Sequence, residues 1–363
     1  MLINNLLTTN NLEQKNKIGI VVVELRKMQV VGRASFSVTL PPDWVKENKL
    51  NPSDQINITR EDDGSLRLMP GTMPEEKEVK ITIDADKCKY PGLLMRLIIG
   101  GYNRGCDSIE IVSEHAISEN HWKEIHEATD SLMGMGIVES TSNRVMLQSV
   151  VDASKFPLKP LLKRFCEIIT SMCEDALQAF KDNDHSLATD IINRENEVNK
   201  IYWLMGRQTV AAAYDKNVLK KIELNGTPDL ALHVVIFPRM KSVADYAVDI
   251  ADNLLALGKS EISDANLQKI IRLGRMAHEL YSDSCKSFFN GDVILANNAV
   301  ESFKQFDKMK DELLMDLGSR IKDVRSAMHL MTIIRDLRGV AYHGSFIAEV
   351  TVQNSTAEKI NLP

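Results

Sequence analysis

The hydrophobic positions change their period along the chain. From residue 158 onward apolar residues recur at helical spacing: Leu161, Phe165, Ile168, Ile169, Met172, Ala176 and Phe180 share one face, and Leu187, Ile191, Ile192, Val198, Ile201, Tyr202 and Met205 continue the pattern. Asp182-Asn183-Asp184 between them reads as a turn and N-cap. Thr227-Pro228 opens a third helix to about Leu257, with a kink at Pro238, because an interior proline removes one ladder bond. Ser263-Asp264, Gly291-Asp292 and Lys322-Asp323 mark further starts, so six long helices are predicted. Residues 78–150 alternate instead: strand Val79–Ile83, helix Gly92–Gly101, strand Ser108–Val112, helix Ser118–Met133, strands Ile137–Ser140 and Arg144–Gln148. That order suits an α+β domain with its helices on one sheet face. Gly100-Gly101 and Gly134-x-Gly136 are read as helix C-caps. Ahead of it lie short β-branched strands, Ile20–Leu25 and Ser35–Leu40 around a turn at Gly32-Arg33, then a short helix from Pro41-Pro42-Asp43. Strands Gln55–Arg60 and Leu66–Met69 follow, joined at Asp62-Asp63-Gly64.

The six helices are two copies of three. At an offset of 108, Phe180–Ala188 lies over Phe288–Ala296, and at 97, Val243-Ala244 lies over Val340-Ala341 and Ile250-Ala251-Asp252 over Ile347-Ala348-Glu349. The difference falls in the connection Tyr214–Gly226, so each copy should bury one face against the other.

Composition adds boundaries. Eight of the eleven prolines precede residue 161, which puts a composition change near 155. No apolar run approaches the ~20 residues of a membrane span and no leader pattern opens the chain, so a cytoplasmic protein without membrane insertion is expected. Five cysteines without a C-x-x-C suit reduced, buried thiols rather than disulfides or a structural zinc. The net charge of −6 argues against a polyanionic partner only on average. Residues 1–69 carry 9 basic against 8 acidic side chains, and within them Lys15 to Leu40 sets Lys15, Lys17, Arg26, Lys27 and Arg33 against Glu24 alone.

Arg26 to Trp44, with its Gly turn, Ser-rich strand ending in Leu40-Pro41 and short helix, followed by Asn51-Pro52-Ser53-Asp54, resembles the looped-hinge DNA-binding domain of the AbrB and antitoxin type. Ser53 stands where that pattern has Gly before Asp54. The duplicated helices resemble PhoU, the phosphate-signalling regulator, and the combination resembles archaeal PhoU-like proteins with an N-terminal AbrB-type domain. The expected fold is multidomain α plus β: a swapped-hairpin β-barrel over residues 15–70, an α+β middle domain over 78–152, and an all-α bundle over 158–353 with repeats 158–257 and 264–353. About fifty residues of β structure bury little core alone, so a homodimer is expected. Basic strands doubled by dimerisation place a ridge against DNA. Arg26, Lys27 and Arg33 are the candidates for base edges, and Ser35 and Ser37 for phosphate oxygens.

The PhoU resemblance further implies acidic pairs at E/D-x-x-x-D spacing, which can ligate a hard cation. Asp245 and Asp249 keep the spacing and Glu195 on a neighbouring helix is a third candidate for a divalent or iron ion. Lys241, Asn199, Arg338, Tyr342 and Phe303 interrupt the pattern, so a solvated acidic face is preferred and no cofactor is expected. His115, His121 and His126 are read as surface or packing residues, Cys166 and Cys173 as core thiols, and the methionines, including Met205, Met276, Met309, Met315, Met328 and Met331, as core filler. No nucleophile–base pair, phosphate-binding loop or dinucleotide fingerprint stands out. The sequence therefore reads as a non-enzymatic, DNA-binding regulator of phosphate uptake, with negative control and a protein of the uptake system as partner. The alternative is a dimeric adaptor whose bundle docks on a transporter or signalling protein.

Overall fold

The computed structural model describes residues 7–8, 24–60, 64–71, 78–257, 263–318 and 323–355. The N-terminal unit holds a first hairpin, β2 (Gln29–Val31) and β3 (Ser35–Ser37), then α1 (Pro42–Glu47) and a second hairpin, β4 (Ile56–Arg60) and β5 (Leu66–Pro70). Gly32, at φ +69°, supplies the left-handed turn of the first hairpin. The expected strand Ile20–Leu25 is not the paired arm: 20–23 lie outside the described residues, Glu24 and Leu25 are irregular, and pairing is confined to the residues flanking the turn. Lys15, Lys17 and the Asp62-Asp63 turn also lie outside the described residues. Among the described residues the two hairpins form separate two-stranded ladders. Among the described residues of 24–71 none is buried, since two two-stranded hairpins and one short helix have nothing to close over.

The middle domain follows the predicted order. Strands β6 (Lys80–Asp84), β7 (Ser108–Val112), β8 (Met135–Ser140) and β9 (Arg144–Ser149), with β1 (Leu7–Thr8) at one edge, make a sheet of order β1-β6-β7-β9-β8. Among the described residues only β6 and β7 run parallel. Ile81, Ile83, Ile109, Ile111, Val145 and Leu147 alternate onto one face and are buried beneath α2 (Leu93–Asn103) and α3 (Glu119–Ser131). The opposite face carries Glu110 between Arg144 (2.5 Å) and Lys80 (3.3 Å), which suits solvent. Gly100 and Gly101 are not the C-cap expected of them, because α2 runs on to Asn103. A Cβ on Gly101 would lie 2.6 Å from Ile81 Cδ1, so this glycine lets the helix settle onto the sheet. Gly136 likewise lies inside β8.

Six long helices follow: α4 (Leu158–Asp182), α5 (His185–Tyr214), α7 (Thr227–Leu257), α8 (Asp264–Asn290), α9 (Val293–Gly318) and α10 (Val324–Gln353). A short α6 (Lys216–Lys221) occupies the longer connection of the first copy. The duplication is visible in the caps. Asn183 (φ +53°) ends α4 and Gly291 (φ +68°), 108 residues later, ends α8, each in the left-handed conformation. Asp184 then accepts from Ser186 N and Leu187 N, and Asp292 from Leu295 N. One core runs through both copies, from Leu162 and Phe165 to Tyr281, Ile334 and Ile347. Met205 belongs to it and Met276 and Met309 pack on it, whereas Met315, Met328 and Met331 are exposed and are not core filler. Among the described residues no helix is long and apolar enough to cross a membrane.

Candidate functional site

Three places bear on function: the first hairpin, the ion pairs on the bundle, and the joint between bundle and middle domain. In the hairpin, Val30 pairs with Phe36, Gln29 with Ser37 and Val31 with Ser35. Side chains of paired residues share a face and successive ones alternate, so Ser35 and Ser37 stand on one face with Gln29, and Val30 and Phe36 on the other. Arg33 projects at the turn, exposed, and Lys27 is exposed on the approach to β2. Arg26 is held by Glu24 in an exposed ion pair two residues away, which sets it apart from the other two cations. Thus Arg33 stands at the turn, and Ser35 and Ser37 share one face of β3 leading away from it.

The same unit exposes nine large apolar side chains: Leu25, Met28, Val30, Val31, Phe36, Val38, Ile58, Leu66 and Leu68. Ile58 pairs with Leu68 on one face of the second hairpin. Ser53 takes φ +80°, a conformation natural to glycine and costly for a residue with a Cβ, while Asp54 accepts from Asn51 N at 2.7 Å to close the turn.

On the bundle, the acidic candidates gather around a cation that the chain itself supplies. Lys241 Nζ lies 3.6 Å from Glu195 and bonds Asp245 one turn along α7. Asp249, the next acid, is pushed above the ordinary carboxylate range by burial, with Arg335 opposing that effect. In the second copy Arg338, 97 residues after Lys241, donates to Asp307 at 2.8 Å and lies over the Phe303 ring at 5.5 Å. Lys310 pairs with both Asp307 and Asp311 at 3.1 Å. A basic side chain therefore sits at the corresponding point of each copy, and its charge answers the acids that a bound metal would otherwise neutralise. Among the described residues no group of three or more His, Cys, Asp or Glu has metal-binding geometry. His121 Nε2 reaches the Cys88 carbonyl (3.1 Å), and His126 stacks on Trp122.

The joint was not foreseen from the sequence. Arg207 of α5, almost wholly buried, donates to the carbonyls of Tyr102 (2.8 Å) and Cys106 (2.9 Å), and lies 5.0 Å from the Tyr102 ring centre. Gln208 donates to the Ala153 and Phe156 carbonyls at 2.7 and 2.6 Å. Helix α5 thus satisfies the end of α2 and the segment leading into the bundle. The available signal was Arg207-Gln208-Thr209, a polar triplet interrupting an apolar helical stretch from Trp203 to Ala213.

Comparison with protein families accounts for both ends of the chain. The family described as "PhoU domain" matches residues 162–254 and again 270–351, and "Antidote-toxin recognition MazE, bacterial antitoxin" matches residues 29–76. The PhoU domain thus matches twice, behind the match to the MazE-type domain. No relative among the curated proteins matches the sequence. Of solved structures, the phosphate transport system regulatory protein PhoU from Streptococcus pneumoniae is similar at 17% identity and a TM-score of 0.47, over 56% of this chain and 96% of that one. PhoU from Pseudomonas aeruginosa is similar at 15% identity and the same TM-score, over 54% and 93%. The two PhoU matches fall on the two sets of three long helices, and the MazE-type match spans both N-terminal hairpins.

Proposed function

We propose that this chain is a cytoplasmic, homodimeric DNA-binding regulator of phosphate uptake that acts negatively. In this reading the MazE-type unit contacts the operator, and the PhoU domains receive the signal from a protein of the uptake system. The observation that carries it is the joining, in one chain, of an antitoxin-type hairpin with exposed Arg33, Ser35 and Ser37 to tandem PhoU domains. The coreless state of residues 24–71 supports dimerisation, because nine exposed apolar side chains need a cover and a second copy brings the same surface. Two copies double the basic side chains set against phosphates, while Lys27 and Arg33 reach into a groove. The buried Arg207 joint supports a middle domain that moves with the bundle, so a partner on the helices can reset the spacing of the two hairpins.

Fluorescence anisotropy of the full-length protein on its own upstream DNA tests this. Affinity should fall more than tenfold between about 50 and 200 mM salt, and by about tenfold in the double variant Arg33→Ala, Lys27→Ala. Absence of binding by the intact dimer removes the DNA reading and favours the adaptor, in which the bundle alone engages a transporter or signalling protein.

A further inference from the structure

The repeat relation brings two cysteines together. The shift of 108 that carries Asn183 onto Gly291 also carries Cys166 onto Gly274 and Leu177 onto Cys285. Gly274 of α8 and Leu177 of α4 are so close that a Cβ on the glycine would overlap the leucine side chain. The pseudo-equivalent point of the same helix pair sets Cys166 opposite Cys285. Both line one cleft of about 870 Å³ between α4 and α8, together with Lys163, Thr170 and Lys286. Both cysteines line the cleft while only 5% and 3% exposed. Thr170 Oγ1 lies 3.9 Å from Cys166 Sγ. Tyr281 is wholly buried beside the pair.

The two sulfurs are not equivalent. The Cys285 thiol, aided by Thr170 and Tyr281, draws Cys166 below the ordinary thiol range against its burial, whereas burial pushes Cys285 well above it.

We propose that Cys166 and Cys285 are a hydroperoxide-sensitive thiol pair that closes into a disulfide across the two PhoU domains. The Cys166 thiolate attacks one peroxide oxygen, the O–O bond breaks, and hydroxide leaves as water after taking a proton, giving a sulfenic acid on Cys166. The Cys285 sulfur then attacks Cys166 Sγ, its proton going with the displaced hydroxyl as a second water. Two thiols and one hydrogen peroxide become one disulfide and two waters. The bond fastens α4 to α8, the first helix of each repeat, and fixes the angle between the two copies.

The test uses the full-length protein, freed of reductant and titrated with hydrogen peroxide, then unfolded, alkylated and mapped under non-reducing conditions. One Cys166–Cys285 disulfide per chain is expected, reversed by dithiothreitol, with a higher unfolding midpoint in the oxidised form. Cys285→Ser should hold Cys166 as a sulfenic acid trapped by dimedone, and Cys166→Ser and Cys166→Ala should leave Cys285 a free thiol. Recovery of both cysteines as alkylated thiols overturns the proposal. So does a disulfide to any other cysteine or between copies, or over-oxidation of Cys166 in the unmodified sequence without bridging.

Discussion

The N-terminal unit and the middle domain are both small and β-rich, yet they solve burial in opposite ways. The middle domain sets Ile83, Ile109, Ile111 and Leu147 at zero exposure under two helices. Its joint to α5 extends that order into the bundle. The N-terminal unit has comparable apolar residues, but Val30, Phe36, Ile58 and Leu66 all stand more than half exposed. Two-stranded ladders without a covering layer cannot remove them from water. The difference teaches that this chain buries one part within its own fold and leaves the other exposed, to be covered by association in the proposed dimer, so the two parts should respond to different perturbations.

The largest expected effect removes the apolar face. Val30→Asp with Phe36→Ser deletes two side chains from each copy, worth about 1.5–3 kcal/mol apiece when buried, so association should weaken by on the order of 6 kcal/mol or more. Analytical ultracentrifugation should show the mass halved while thermal unfolding of the helices stays put; a fall in helical stability would break the contrast drawn above. Next comes Arg207→Met, which strands the Tyr102 and Cys106 carbonyls and should cost about 3 kcal/mol. Hydrogen exchange should rise in α2 and β7 before it rises in α8 or α10, and a uniform change would mean that the joint is not a distinct cooperative link.

Acid probes the cored side alone. In α10, burial, reinforced by Arg239, holds His343 down to about 4, so the unfolded chain takes a proton the folded one refuses, and stability is lost as pH falls from about 6.5 toward 4. Asp336, pushed up to about 6 by burial against the pull of Arg335, does the reverse: the folded chain keeps a proton the unfolded one has released, so stability rises as pH falls from about 6. The two offset each other across the same window. Asp336→Asn should expose the acid loss and His343→Phe should invert it, each by on the order of 2 kcal/mol in urea titrations at pH about 4.5 and 7. If neither slope changes, these groups do not govern acid stability. The smallest effect belongs to the N-terminal unit: Ser53→Gly relieves the positive φ and should stabilise the dimer by roughly 0.5–1 kcal/mol, read as a higher midpoint for its own transition.

Much of this architecture is legible in local pattern. Helix starts at Asp184, Ser263 and Asp323 follow from side chains that cap their own backbone, and the alternation of Ile109 and Ile111 marks the inner face of β7. Gly101 misled because a glycine near a helix end reads as a cap, while its actual use is contact with Ile81 on a strand twenty residues away. The exposed methionines misled for a related reason: helical spacing tells which residues share a face, not which face a neighbour covers. At the candidate interface, the turn at Gly32-Arg33 was legible, but the pairing of Arg26 with Glu24 required the side-chain geometry.

By itself, then, the sequence determined the periods, the caps, the duplication and the basic hairpin, all properties of residues within a few positions of one another or of one repeat against its copy. Tertiary structure alone decided that Arg207 would clasp α2, that Lys241 and Arg338 would each stand among or against the acids of a neighbouring helix, and that Cys166 would meet Cys285 across the seam. Those pairings join residues 31 to 119 positions apart. Periodicity within a helix carries no record of the partner helix, and only the packing of one element on another fixes which distant side chains meet.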